Sequence, residues 1–116
     1  MERVRDLEFF SYHFEEFVNK LPQKVKDKIG YVLFLITISE RIPVKFFKHI
    51  EGTDGLFEIR IEFDSNSYRV FCCFDEGKLV VLFNGFLKKT QKTPKTEIDK
   101  ALSIRKEYFE SKYNVM

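Results

Sequence analysis

The clearest pattern in the chain is the alternation from Leu56 to Phe63. Phe57, Ile59, Ile61 and Phe63 fall on one side of an extended backbone and Glu58, Arg60 and Glu62 on the other, which predicts a strand with one buried and one wet face. Asp64-Ser65-Asn66-Ser67 supplies turn residues. Tyr68 to Phe74 then continues as a second strand, with Arg69, Phe71 and Cys73 opposite Tyr68, Val70, Cys72 and Phe74, so the pair predicts a hairpin. A further turn at Asp75-Glu76-Gly77-Lys78 leads into Leu79–Leu87, a run so evenly apolar that it predicts a central strand covered on most of both faces.

Around these strands the spacing is helical. Val4 to Phe10 predicts a short strand, and Ser11 a cap for a short helix bearing Phe14, Phe17, Val18 and Leu21. Pro22 suits the first turn of a second helix, whose stripe Val25, Ile29, Val32, Leu33 and Ile36 runs until Ile42-Pro43 ends it. Thr93-Pro94 reads as cap and first turn of a last helix with Ile98, Ala101, Leu102, Tyr108 and Phe109 on one stripe. The order predicts an α+β fold: an N-terminal strand and helical hairpin packed on one face of an antiparallel sheet, the other face partly open, and a C-terminal helix. The longest irregular piece is the loop from Ile42 to Gly55.

Composition narrows the class. With 116 residues, 44% hydrophobic and 33% charged, the chain reads as one globular domain over residues 1–116. Fourteen phenylalanines and five tyrosines give so small a domain the large side chains its core needs. The apolar stretch Ile29–Ile38 is far short of the roughly 20 residues that cross a bilayer, and the charged start Met1–Asp6 carries no secretory pattern, so a cytoplasmic protein without membrane contact is expected. Cys72 and Cys73 are adjacent and match no zinc spacing; no metal and no cofactor are expected.

Charge changes the picture more. The net charge is only +2, yet Lys88, Lys89, Lys92 and Lys95 lie between Asn84 and Thr96 without an acid, while the rest of the chain carries 16 basic and 18 acidic residues. A polyanion would land on that segment, and the first turn of the helix after it adds free N–H groups. Alternation puts Arg60 on the open face, where a short hairpin would bring Arg69 beside it; ordinary pairing of Arg60 with Glu58 or Glu62 is the alternative. Glu58 is also a candidate proton acceptor, and His49 in the long loop has the intrinsic acidity for proton transfer. His13, on the first helix, reads as packing. Phe86 and Tyr68 offer rings for an unpaired base, or simply core.

The run Leu82-Phe83-Asn84-Gly85-Phe86-Leu87-Lys88-Lys89-Thr90-Gln91-Lys92-Thr93-Pro94, preceded by Phe57-Glu58-Ile59-Arg60 and Tyr68-Arg69-Val70, resembles the Gp49-like branch of the RelE/ParE toxin superfamily, to which HigB-type toxins belong. The recognisable motifs cover about residues 45 to 105. The resemblance implies a RelE-like toxin of a type II toxin–antitoxin system, a ribosome-dependent messenger RNA endonuclease in which a ribose 2′-hydroxyl attacks its own phosphate. By position, Arg69 resembles the strand arginine that such toxins set against the phosphate, Arg60 its basic neighbour, and Lys88 and Lys89 the basic pair closing the last strand. Glu58 and His49 complete the candidate catalytic set, and Phe86, Gln91, Lys92, Lys95 and Tyr68 the candidate RNA contacts. The tyrosine or histidine that relatives carry just after the basic pair is replaced here by Thr90 and Gln91. Implied partners are messenger RNA, the ribosome, a helix-turn-helix antitoxin of the HigA kind and larger toxin–antitoxin assemblies. A ParE-like gyrase inhibitor and a degenerate, non-cleaving RNA-binding homologue are the alternatives.

Overall fold

A computed structural model describes residues 2–114. In chain order the elements are β1 (Asp6–Phe9), α1 (His13–Asn19), α2 (Gln23–Ile38), β2 (Phe47–His49), β3 (Phe57–Phe63), β4 (Asn66–Asp75), β5 (Leu79–Lys88) and α3 (Lys95–Tyr113). They form an α+β fold on one five-stranded sheet, ordered β1-β5-β4-β3-β2. The sheet is mixed rather than wholly antiparallel, because β1 runs parallel to β5; a parallel neighbour requires a long connection, which the helical hairpin begins. The loop expected from Ile42 to Gly55 contains β2, a three-residue edge strand antiparallel to β3.

Helices cover both faces, which corrects the expectation of a single helical layer. Val25, Ile29, Val32 and Ile36 of α2, with Phe14 and Phe17 of α1, pack on Ile59, Ile61, Tyr68, Val70, Cys72, Val80 and Leu82. On the other face Ala101, Ile104 and Tyr108 of α3 meet Phe71, Cys73, Val81 and Phe83. β4 and β5 are apolar on both sides, so both sides need cover. The outward residues of β3 are Glu58, Arg60 and Glu62, and the Arg60–Glu62 end of the α3 face stays open.

Helix ends depart from the predicted caps. Ser11 has φ of 62° and does not cap α1, which starts from Tyr12 without a side-chain cap bond. Pro22 and Pro94 take extended ψ values of 152° and 136° and stand just outside α2 and α3. α2 stops at Ile38, before Ile42-Pro43, where Arg5 donates to the carbonyls of Ile36, Ser39 and Glu40 and so satisfies the free end. The β3–β4 turn is closed by Asp64 and Ser65 alone, at φ of 50° and 67°, the left-handed pair of a two-residue hairpin loop.

Between Val70 and Cys72 the β4–β5 register slips: Val70 faces Gly85 but Cys72 faces Leu82, so β5 carries one extra residue. This bulge reverses the parity of β5. Val80 and Leu82 face the helical hairpin, whereas Phe86, also even-numbered, joins the α3 side. Gly85 lies beneath α1, and a Cβ there would sit inside the Phe17 ring. Gly85→Ala should therefore lower stability by about 1–3 kcal/mol through overpacking, read as a fall in the urea midpoint; an unchanged midpoint would contradict this close approach.

Candidate active site

The β3–β4 register sets Arg60 directly across from Arg69 on the α3 side of the sheet. Like charges so placed repel, and Glu58 compensates. Its Oε2 lies 3.3 Å from Arg60 Nε and 3.6 Å from Arg69 Nε. The side chains of Glu58 and Arg69 are each 4% exposed and that of Arg60 25%. Arg69 is bracketed on its other side by Glu62: Nη1 donates to Glu62 Oε1 at 2.9 Å and to the Tyr68 carbonyl at 3.0 Å. The expected cationic pair and the ordinary strand-face pairing therefore coexist. Both Nε–H groups are buried without a well-directed acceptor, so the pair retains donor capacity.

The β5 bulge delivers Lys88 to this cluster, opposite Ser67. Partial burial pushes the Lys88 ammonium below its usual pKa, and repulsion from Arg69 and Arg60 adds to the effect. Thr93 does not cap α3. Its Oγ1 donates instead to Glu58 Oε1 at 3.0 Å, tying the lysine-rich loop to the sheet. Between the loop and β2 lies a cleft of about 370 Å³ lined by Lys48, Glu58, Arg60, Lys88, Gln91 and Lys92, among others.

Not every candidate converges. Tyr68 lies in the core on the opposite face, so it does not reach the cluster as a stacking ring. Phe86 is on the cluster's side but 9% exposed and stacked on Phe71 at 5.6 Å, a floor more than a free platform. His49 borders the cleft, yet its Nε2 pairs with the Thr53 carbonyl at 3.0 Å and its ring meets Phe57 edge-on; β2 alternation turns it from the carboxylate. Lys89 lies exposed beyond the end of β5. Lys95 pairs with Asp99 at 2.7 Å on α3. Tyr108 is held in the α3 core, its hydroxyl donating to Asp75 at 2.6 Å.

Three residues of the cluster and its cleft lie outside the expected catalytic and RNA-contact set. Lys48 stands opposite Glu58 in the β2–β3 register, hidden because a three-residue strand scarcely shows periodicity; the only cue was its position between Phe47 and the apolar Ile50. Thr93 read as a cap, and Glu62 as surface charge. A larger hollow, about 410 Å³, lies between Phe57, Cys73 and Phe109. It offers less chemistry: burial pushes the Cys73 thiol up to about 11, and Arg105 donates to the Asp54 carbonyl.

A mixed sheet with a helical hairpin on one face and a C-terminal helix on the other is compatible with a RelE-like fold. The chain belongs to the phage-derived Gp49-like family, a RelE-like toxin family, and matches it over residues 16–106; that span contains every residue of the cluster. No curated protein matches the sequence.

Removing the shared carboxylate should strip Arg60 of its carboxylate partner and leave the buried Arg69 held only by the exposed Glu62. Glu58→Gln is expected to cost about 3 kcal/mol, and Glu62→Gln, at 58% side-chain exposure, less than about 1 kcal/mol, by urea unfolding at pH 7; equal losses would refute the shared-carboxylate account.

Partial burial of Glu62 acts to raise its pKa, but hydrogen bonds from Ser67 and Arg69 and the charges of Arg69 and Arg60 hold it below 4.5. A depressed carboxylate stabilises the fold fully above its unfolded pKa and loses that contribution as pH falls through the native value. Glu62→Gln should therefore narrow the stability gap to wild type as pH drops below about 4.5, the ordinary value; a gap that widens would reverse the sign of this interaction.

Proposed function

We propose that the chain is a toxin of a toxin–antitoxin pair acting as a messenger RNA endonuclease. The supporting observation is the convergence of Arg60, Arg69 and Lys88, from three different stretches of chain, around one buried carboxylate beside an open cleft. A guanidinium's planar fork suits phosphate oxygens. A phosphodiester entering here displaces the exposed Glu62 from Arg69 and takes up the spare donors of both arginines. Glu58 holds Arg60 at the cleft wall and Arg69 behind it, and Lys48 and Lys92 carry the flanking backbone.

The chemistry follows from these placements. The ribose 2′-oxygen bonds to phosphorus as the bond to the departing 5′-oxygen breaks, leaving a cyclic phosphate. Glu58, once Thr93 shifts from its Oε1, takes the 2′ proton, and Lys88, whose ammonium partial burial makes more acidic, gives one to the 5′-oxygen. Arg69 and Arg60 stabilise the added phosphate charge. So modest an acid–base set fits an enzyme whose substrate is oriented by the ribosome, since positioning alone lowers barriers by several kcal/mol. A helix-turn-helix antitoxin would hold such an activity in check.

Induced expression should arrest growth and generate cut message ends. Lys88→Ala, at the end of β5, and Arg69→Ala are each expected to lower cleavage by about 10²-fold or more, with Lys89→Ala much milder because Lys89 lies beyond the cluster. Mapping message ends after induction decides it. Arrest with intact messages and blocked DNA supercoiling would move the protein to gyrase inhibition, and toxicity indifferent to Arg69 and Lys88 would remove the site.

A further inference from the structure

Helix α2 is apolar on two sides. Val25, Ile29, Val32 and Ile36 face the sheet. A hundred degrees away per residue, Tyr31, Phe34 and Ile38 line up at i, i+3 and i+7 along the outer face, with Tyr31 53% and Phe34 50% exposed. Apolar residues on both sides of a helix call for cover on both. Next to this stripe runs a groove of about 360 Å³ between α2 and β1, walled by Leu7, Phe34, Thr37 and Ile38 and open at Gly30. Glycine inside a helix is unfavourable relative to alanine. A Cβ at Gly30 would meet nothing within 4 Å, so the chain's own packing does not require the missing side chain. Its absence deepens the groove.

Charge selects the occupant. Lys20, Lys24, Lys26 and Lys28 crowd the start of α2 with only Asp27 among them, and Asp27 is engaged by Gln23. Glu40, Arg41 and Lys45 follow the other end, which stays net positive. A second copy of this chain docked by a two-fold on this face would set the lysines of one copy against either the same lysines or Arg41 and Lys45 of the other, which like charges oppose. We infer that the outer face of α2 docks an acidic amphipathic helix of a partner protein, its apolar seam on Tyr31, Phe34 and Ile38 and its carboxylates on the flanking lysines. On the toxin reading above, which this identification of the partner rests on, the helix belongs to the antitoxin. α2 and the arginine cluster occupy opposite faces of the sheet, so docking here leaves the cleft uncovered.

The test uses the purified full chain and a labelled synthetic helix of about 20 residues, roughly 30 Å long, with a leucine seam and glutamate flanks. A twin carries lysine at every glutamate. The acidic peptide should bind saturably, with the basic twin at least about tenfold weaker, and Phe34→Ser and Gly30→Leu should each weaken binding about tenfold or more while leaving the unfolding midpoint near wild type. Both variants should still cut message, so loss of docking and failure of the nuclease reading appear in separate assays. The inference is overturned if neither peptide binds, if the twins bind alike, or if Phe34→Ser leaves binding unchanged. It is overturned too if the wild-type chain dimerises in sedimentation and Phe34→Ser abolishes that, since a second copy would then be the occupant.

Discussion

A single buried carboxylate governs the open half of the sheet. Arg60 and Arg69 face each other by strand register, an arrangement that is unfavourable until Glu58 stands between them, and a buried charge is tolerable only when paired. The same carboxylate accepts from Thr93, so it also fixes where the lysine-rich loop crosses the sheet before α3 begins. One side chain thereby sets the arginine geometry, the loop position and a wall of the cleft. Glu62, far more exposed, neutralises Arg69 from outside.

The bulge in β5 is the second determinant. An uninterrupted strand would keep all even-numbered residues on the side of Val80 and Leu82, and Lys88 would point toward the helical hairpin. One extra residue reverses the phase, an established use of bulges to re-aim side chains. Gly85 makes it compatible with α1, where the Phe17 ring fills the space of a Cβ. The bulge leaves Asn84 buried with neither amide atom paired, a local cost of reaching the site geometry.

Charge divides the molecule between two faces. Toward α3, cations interleave with carboxylates around a cleft; toward the outer side of α2, lysines crowd one end of an apolar stripe. At the far end of α3, Asp75 receives Tyr108 and Lys112, which pins that helix over Phe83 and Val81 and leaves the arginine end uncovered. The two surfaces are separated by the sheet, so contacts to a polyanion and to a partner helix need not compete.

Much of the fold was legible because local periodicity reports local geometry. Alternation in β3 and β4, the continuous apolar run of β5 and the helical stripes each depend on neighbouring residues, and the lysine run between Asn84 and Thr96 is likewise a local feature of the chain. Other features depend on distant contacts. β2 is too short to show a period and exists through pairing with β3; α3 covers the second face because β4 and β5 are apolar on both sides; and Tyr68 and Phe86, both aromatic and near the motif, were separated by sheet face. Register decided that Arg60 meets Arg69, and a bulge that Lys88 joins them. The sequence determined which residues could form strands, helices and a cationic segment, while tertiary structure decided which of them meet, because side-chain facing follows from pairing between strands far apart in the chain.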